Sequence, residues 1–199
     1  MIYSKELLLL GVNYSIFENM IKRNTFFLSL ALLFMANLSY SQDRINPTIK
    51  GYGGIFDAPY AVEKPDPTMQ YKIVIDIASN DAEPDGIAYS LFNVARLMNL
   101  HAMGGVPKEN MHVVLAIHGG AAWSVMNNEE YKKKYDVDSP YLDLFKELKA
   151  AGVKMFACSQ SLRGRSIDHT KMVPEVGVAT SMLSVMTTYQ LKGYAALKF

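Results

Sequence analysis

The stretch SPYLDLFKELKAAGVKMFACS, residues 139–159, shows the pattern of a helix followed directly by a strand. Ser139 is a typical helix N-cap, Pro140 suits the first helical position, and Gly152 is a typical stop. Three apolar residues on one face of this predicted helix would pack on a core: Leu142, Phe145 and Leu148. The apolar run Val153 to Ser159 has the length of a buried strand. The stretch therefore predicts a helix and a strand of an α/β domain.

The same alternation continues on both sides of this stretch. A helix that begins near Pro84 and ends before Gly104 separates the first two predicted strands. The predicted strands are residues 71–79, 111–120, 153–159, a short stretch around 176–178, and 193–199, and a last helix covers 179–191. Alternating strands and helices indicate right-handed βαβ crossovers and a mainly parallel sheet covered on both faces. We predict an α/β fold of the three-layer α/β/α sandwich type.

The N-terminal part of the chain has the pattern of a secretory signal peptide. Basic residues after Met20 precede an apolar run of about a dozen residues and a small-x-small end at residues 39–41. We predict that residues 1–41 are an extension plus signal, with Met20 as the true start and cleavage before Gln42. The apolar run is shorter than a membrane span requires. We therefore expect an exported protein, periplasmic or secreted, with no membrane span.

The region after the predicted cleavage site, residues 42–70, is rich in Pro, Gly and Asp and shows no periodicity. We predict an irregular arm there. Four of its apolar residues would lie against the domain or a neighbouring subunit: Tyr52, Ile55, Phe56 and Tyr60. Residues 71–199 then form the single folded domain.

Composition excludes several kinds of site. Lys and Arg total 20 and Asp and Glu total 19, so no net field attracts the protein to nucleic acid. A single cysteine excludes an intramolecular disulfide and a cysteine-cluster metal site. No pair among the four histidines has the spacing of metal ligands. We expect no nucleic-acid partner, no metal site and no cofactor.

The carboxyl ends of parallel strands are where ligands and chemistry gather in such sheets. Polar residues and glycines follow each of the first three predicted strands. The candidate pocket residues chosen by this rule are Asn80, His118, Gly119, Gly120, Cys158, Ser159 and Gln160.

Cys158 can be interpreted in two ways. The positive end of the following helix, together with Arg163 and Arg165, would favour the thiolate, which is the nucleophilic form. Alternatively, the side chain is an inert core residue, because cysteine is among the most buried residue types. Both interpretations remain open at the level of the sequence.

The second strand end also has competing interpretations. His118 could act as a general base or as a cationic neighbour of Cys158, or its ring could be satisfied by a loop carbonyl. Gly119 and Gly120 could present amides to a phosphate, but neither the G-x-G-x-x-G nor the P-loop pattern is present. Asp76 lies inside the first strand, where alternation predicts one side that is partly solvated or faces a subunit.

Residues 71–199 resemble the DsrE/DsrF-like family, whose fold is often called YchN-like. The resemblance rests on an ordered set of segments: Ser79-Asn80, HGGAAW at residues 118–123, residues 139–162, and VGVATSMLSVMTTYQLKGYAALKF at residues 176–199. It implies a five-stranded parallel sheet and assembly into trimers or hexamers. In the sulfur-relay branch it also implies a cysteine that carries sulfur as a persulfide, and Cys158 matches that position.

The expected function is that of an exported, oligomeric DsrE-like protein that uses Cys158 as a persulfide carrier or reactive thiol. Arg163 would stabilise the thiolate, and His118 and Gln160 would complete the pocket. Because no second cysteine can resolve a disulfide within the chain, a sulfur donor and an acceptor would be partner molecules. The alternative is a non-enzymatic module of the same fold that binds a small ligand or assembles, without cysteine chemistry.

Overall fold

The computed structural model describes residues 19, 21–22 and 43–199. The chain divides into two units, Met1–Gln42 and Asp43–Phe199, and the sheet lies in the second. The predicted apolar signal segment and its cleavage before Gln42 lie outside the described residues. Among the residues that are described, no helix is both long and apolar enough to cross a membrane.

A five-stranded parallel sheet forms the centre of the second unit. Its strands are β1 (Tyr71–Ile77), β2 (Met111–Ile117), β3 (Lys154–Cys158), β4 (Gly177–Ala179) and β5 (Ala195–Lys198). Their order is β4-β3-β2-β1-β5, with every neighbouring pair parallel. The predicted α/β class and the five-stranded parallel sheet are confirmed.

Helices cover both faces of the sheet. They are α1 (Tyr89–Met103), α2 (Asn128–Tyr135), α3 (Leu142–Ala150), α4 (Ser159–Gly164) and α5 (Met182–Leu191). The larger core lies between the first four helices and alternate strand residues such as Ile75 and Leu115. The opposite face packs the remaining alternate residues, such as Val74 and Val114, against α5.

Two helix starts differ from the sequence predictions. The helix predicted from Ser139 begins at Leu142, because the preceding residues form a turn in which the Ser139 hydroxyl accepts the N–H of Tyr141 at 3.4 Å. The first helix begins at Tyr89 rather than near Pro84. Gly152 ends the α3 turn as predicted, in the left-handed conformation at φ 91° that glycine permits.

The last helix buries less of its surface than the sequence suggests. The pattern from Met182 to Met186 predicts a stripe of core residues, but Val185 is the single residue of α5 that is buried. Leu183 is 69% exposed and Leu191 is 89% exposed. Helix α5 therefore packs on the sheet through the side that carries Val185, and it leaves the apolar side chains of Leu183 and Leu191 exposed.

The arm before β1 is irregular and is fixed to α1 by one buried side chain. Asn99 is fully buried; its amide donates to the carbonyls of Tyr52 and Gly53, at 2.9 and 3.1 Å. Its oxygen accepts the N–H groups of Thr48 and Ile49, at 3.0 and 2.8 Å. Ile49 and Ile55 are buried, whereas Phe56 and Tyr60 are exposed.

Candidate functional site

The ends of β2 and β3 bring two candidate residues to the same sheet face. The last pair in register joins Ile117 to Ala157, and both belong to the larger core. Because strand side chains alternate, the next residues, His118 and Cys158, project from the opposite face. His118 continues in extended conformation, at φ −152° and ψ −168°, before the turn at Gly119.

The thiol of Cys158 lies where two helices begin. It occupies the N-cap position of α4 and is 3% exposed. Groups able to donate to the sulfur lie near it: the N–H groups of Gln160 and Ser161, the Ser161 hydroxyl, and the N–H of Met182 in the first turn of α5. The hydroxyl of Ser181, the α5 N-cap, lies 4.0 Å from Sγ. Amides from two helix starts therefore lie near one sulfur atom: two belong to α4 and one belongs to α5.

Two opposing effects set the pKa of this thiol. Burial raises the pKa, because it disfavours the charged thiolate. Hydrogen bonds from Met182, Ser161 and Gln160 lower it by stabilising the thiolate, and together they outweigh the burial. The pKa of Cys158 consequently lies below that of an ordinary cysteine. A larger share of this side chain is in the nucleophilic form at neutral pH than in a free thiol.

Ser161 connects the thiol to the end of β2. Its hydroxyl oxygen accepts the N–H of Gly119 at 3.1 Å, which leaves the hydroxyl proton for Cys158. Gly119 has φ +54°, and a Cβ there would lie 2.5 Å from the carbonyl oxygen of Ala78. Only glycine fits this turn without strain, so the turn holds the β2 end against both the β1 end and the helix α4.

His118 is paired with a carboxylate rather than with a loop carbonyl. Its Nε2 lies 2.5 Å from Oδ1 of Asp76, the last residue but one of β1. The side chains of His118 and Asp76 are 21% and 15% exposed. Nζ of Lys198 lies 3.9 Å from the other oxygen of Asp76. This contact joins His118 to β1, not to the thiol on β3, and places an ionisable group at the margin of the site.

The other predicted site residues hold the strand ends together. Oδ1 of Asn80 accepts the Tyr141 hydroxyl at 2.7 Å and so fixes the loop after β1 to the start of α3. The hydroxyl of Ser159 and the amide of Gln160 both donate to the carbonyl of Thr180, at 2.7 and 3.3 Å. These bonds fix the end of β3 to the segment between β4 and α5.

Two further predicted site residues stand apart from the thiol. Gly120 faces the backbone of Asn80, which a Cβ would approach to 3.5 Å. Arg163 is exposed and lies in the last turn of α4, whereas Cys158 caps its first turn. The backbone amides and Ser161 supply the stabilisation of the thiolate that the sequence analysis assigned to Arg163.

A groove lies on the same sheet face as the thiol. It has a volume of about 380 Å³ and runs between α5 and the strands β3 and β4. Phe156, Ala179 and Thr180 line one side, and Ser184 and Thr188 of α5 line the other. Thr180, which lines the groove, directly precedes Ser181, whose hydroxyl lies 4.0 Å from Sγ.

Sequence reasoning missed the residues that most affect the thiol. Ser161 and Met182 act through tertiary proximity, which no local pattern reports. One signal was present: Ser181 and Ser184 form a capping box, which marks a helix start at the α5 end of the site. Among the described residues, no group of His, Cys, Asp or Glu side chains could hold a metal ion.

Comparison with known proteins identifies the fold family. The model of the DsrE/DsrF-like family matches residues 72–199. The solved structure of a protein of unknown function, MTH1491 from Methanobacterium thermoautotrophicum, is 20% identical with a TM-score of 0.48, over 65% of this chain and 99% of that one. The ychN protein from E. coli is 21% identical with a TM-score of 0.47, again over 65% and 99%. No curated protein matches the chain in sequence.

Proposed function

Because the chain belongs to the DsrE/DsrF-like family over residues 72–199, we propose that it is an exported, homo-oligomeric sulfur carrier that acts through Cys158. The observation that carries this proposal is the position of a buried thiol between the starts of α4 and α5, whose donor groups lower its pKa. A buried cysteine without such donors would have a raised pKa and little reactivity.

The proposed reaction is a transfer of sulfane sulfur. The Cys158 thiolate attacks the outer sulfur of a donor persulfide, a new S–S bond forms at Sγ, and the S–S bond of the donor breaks. The electron pair and negative charge leave on the donor thiolate, so the transfer needs no external oxidant or reductant. An acceptor thiolate then attacks the outer sulfur of the Cys158 persulfide and regenerates the Cys158 thiolate.

The donors around Cys158 fit both thiolate states of this cycle. The N–H groups of Gln160, Ser161 and Met182 are oriented before the reaction, because each belongs to a helix start. They stabilise the attacking thiolate and the same thiolate when it is the leaving group in the second transfer. The chain thus supplies electrostatic stabilisation, while donor and acceptor are partner molecules, since the chain has one cysteine.

Access to the sulfur must come from a neighbouring surface, because Cys158 is 3% exposed. We propose that the groove beside α5 receives the donor, since Thr180 lines it and directly precedes Ser181, whose hydroxyl lies 4.0 Å from Sγ. A small outward movement of the α5 start would expose Sγ along this groove. Loop and helix-end movements of this kind are common in binding sites.

Assembly into a trimer or hexamer is the second part of the proposal. Leu183 and Leu191 of α5 are 69% and 89% exposed, and neighbouring Val178 of β4 is 45% exposed. Exposed apolar residues grouped on one side of a domain are typical of interaction surfaces. A second copy of the chain would bury this side of α5. Export is proposed from the signal pattern that precedes Gln42.

The experiment that tests the sulfur chemistry has two parts. Iodoacetamide alkylation of Cys158 is measured against pH, and we expect a midpoint below the free-thiol value of about 8.5. Intact mass is then measured after incubation with a low-molecular-weight persulfide, and we expect one added sulfur atom that is absent from Cys158→Ser. A midpoint at or above the free-thiol value, or equal sulfur uptake by Cys158→Ser, would contradict the proposal.

The burial of Cys158 favours a second candidate function. A non-enzymatic module of this fold would use the sulfur only for packing and would bind a small ligand or assemble. For that function, Cys158→Ser would retain the oligomeric state, and the native protein would take up no sulfur. The intact-mass experiment therefore separates the two candidates.

A further inference from the structure

A second cavity lies away from the thiol, between segments that follow β2 and β3. Its volume is about 360 Å³, within the range of small-molecule sites. Trp123, Met126 and Ile167 supply apolar surface. Its polar lining comes from α2, from the loop after α4 and from the 3₁₀ turn at 169–171, and consists of Glu130, Lys133, Lys134, Arg165, Ser166, Asp168 and Lys171.

The cavity is preformed by backbone hydrogen bonds. Met126 and Met172 form an antiparallel bridge, flanked by bonds from Asn127 N–H to Lys171 at 2.9 Å and from Val173 N–H to Val125 at 2.9 Å. These bonds clamp the turn that carries Trp123 to the segment that carries Lys171. The walls therefore need no rearrangement to enclose a ligand.

The turn that positions Arg165 is strained. Ser166 has φ 55°, a left-handed conformation that non-glycine residues rarely adopt. Hydrogen bonds from Ser166 to Arg163 at 3.1 Å and from Ile167 to Leu162 at 2.9 Å close the end of α4 around it. Strained backbone of this kind is concentrated at functional sites, and here it forms one wall of the cavity.

The charges of the lining do not cancel. Lys171 pairs with Glu130 at 2.6 Å. The carboxylate of Asp168 accepts the N–H and hydroxyl of Thr170, at 2.9 and 2.7 Å. Lys133, Lys134 and Arg165 remain, and among the described residues no carboxylate lies within ion-pair distance of them. The cavity is therefore cationic overall.

From the sequence, the three lysines at 132–134 are most simply interpreted as a solvated helix face. The contact made by Lys134 shows that this side of α2 also forms part of the cavity wall. Nζ of Lys134 lies 3.9 Å from the centroid of the Trp123 ring. A cation–π contact at this distance holds the ammonium group beside the apolar wall. An anionic group and a planar apolar group could thus be bound side by side.

We propose that this cavity binds a small organic anion, with a planar apolar body against Trp123 and Met126 and a phosphate, sulfate or carboxylate group on Lys134 and Arg165. The apolar wall selects the apolar body of the ligand, and Lys134 and Arg165, two of the three cations without a carboxylate partner, select its negative charge. This site is separate from Cys158 and does not depend on sulfur transfer.

Trp123 is the single tryptophan of the chain, so its fluorescence reports on this cavity alone. The purified protein is titrated with phenyl phosphate, inorganic phosphate and benzyl alcohol. We expect phenyl phosphate to change the Trp123 emission saturably and to bind at least about tenfold more tightly than either of the others, because it alone uses both the wall and the cations.

Arg165→Gln and Lys134→Gln test the charges, and Lys149→Gln, an exposed lysine on α3, is the matched control. We expect each cavity variant to weaken phenyl phosphate binding about tenfold, the loss for one charge-assisted hydrogen bond, and Lys149→Gln to bind like the native protein. Thermal melting checks that each variant is folded. If Arg165→Gln does not fold, Lys134→Gln alone tests the role of the charges.

Three results would overturn the proposal. Benzyl alcohol that binds as tightly as phenyl phosphate would remove the role of the cations. Inorganic phosphate that binds as tightly would remove the role of the apolar wall. Equal binding by the cavity variants and Lys149→Gln would place the anion elsewhere.

Discussion

At Cys158 the chain places one sulfur atom between two helix starts, and the hydrogen bonds it receives outweigh the effect of burial on its pKa. A thiol whose pKa is depressed in the folded state stabilises the fold most when it is ionised. That stabilisation is complete above the unfolded pKa of about 8.5 and is lost as the pH falls through the lower folded value. Among the donors named above, the Ser161 hydroxyl is the one that a side-chain substitution can remove, and its loss also removes the acceptor of the Gly119 N–H.

Ser161→Ala should raise the pKa of Cys158, because it removes a side-chain donor while leaving the backbone amides in place. The pH midpoint of iodoacetamide alkylation is the measurement, and we expect it to move upward. Ser159→Ala is the matched control, since the Ser159 hydroxyl donates to Thr180 and not to the thiol. An unchanged midpoint in Ser161→Ala would show that the hydroxyl does not stabilise the thiolate.

Gly119→Ala should destabilise the protein by about 3 kcal/mol, because alanine must adopt a left-handed backbone and its Cβ meets the Ala78 carbonyl. That carbonyl oxygen lies 2.5 Å from the position of the added atom. Urea denaturation measures the loss.

Gly164→Ala is the control for Gly119→Ala, since the last position of α4 has open space for a methyl group. We expect it to leave the free energy of unfolding unchanged or to raise it by up to about 1 kcal/mol. Equal stability of the two variants would contradict the role assigned to the Gly119 turn.

At the scale of elements, Asn99 shows how an irregular segment is fixed to a regular one. Its amide makes four hydrogen bonds to backbone groups of the arm. These bonds satisfy backbone groups of the arm that would be paired with a neighbouring strand if the arm were part of a sheet. The close approach of Gly53 to α1 requires glycine, because a Cβ would lie 2.2 Å from the Arg96 nitrogen. The arm is consequently part of the same compact unit as the sheet.

Asn99→Asp should destabilise the protein by about 3 kcal/mol, because a carboxylate oxygen then faces the Tyr52 and Gly53 carbonyls without a proton to donate. We also expect proteolysis within the arm to become faster than in the native protein. Limited proteolysis followed by mass spectrometry measures the cleavage rate near residue 50. Asn93→Asp, whose native amide oxygen accepts from Arg96 on the surface of α1, is the control and should behave like the native protein.

Element positions followed from local sequence patterns, whereas contacts between elements did not. The β-branched run before Ser79 and the glycine after α3 are local signals, and both predicted the correct elements. The carboxyl-edge rule then located Cys158 and Gly119 on adjacent strand ends. Ser161 and Met182 were missed because their position beside the thiol depends on how α4 and α5 meet, whereas Arg163, which was predicted to stabilise the thiolate, is exposed in the last turn of α4.

At the scale of the whole molecule, the two sheet faces are covered unequally. Helices α1 to α4 pack on one face, and within residues 43–199 α5 is the one helix that packs on the other. The interpretation of Asp76 as partly solvated or subunit-facing fits this difference, because its side chain keeps 15% exposure beside Lys198 of the edge strand β5. A neighbouring copy on the α5 side would cover this face, and it would also enclose the groove between α5 and the strands β3 and β4.

The proposed assembly predicts the effect of charging this side of the molecule. Leu183→Glu combined with Leu191→Glu should convert the trimer or hexamer to single chains, because the two substitutions place carboxylates in a buried interface. Light scattering coupled to size-exclusion chromatography measures the mass. Circular dichroism should be unchanged, since both leucines are largely exposed within one chain.

Leu100→Glu is the matched control, because Leu100 lies on α1 and is 39% exposed on the other side of the sheet. It should keep the native mass. If the neighbouring copy encloses Cys158, the groove of the double variant opens to solvent. At the same thiolate fraction, Cys158 of the double variant should then be alkylated faster than Cys158 of the native protein. A native protein that is already a single chain, or a double variant that keeps the native mass, would contradict assembly through α5.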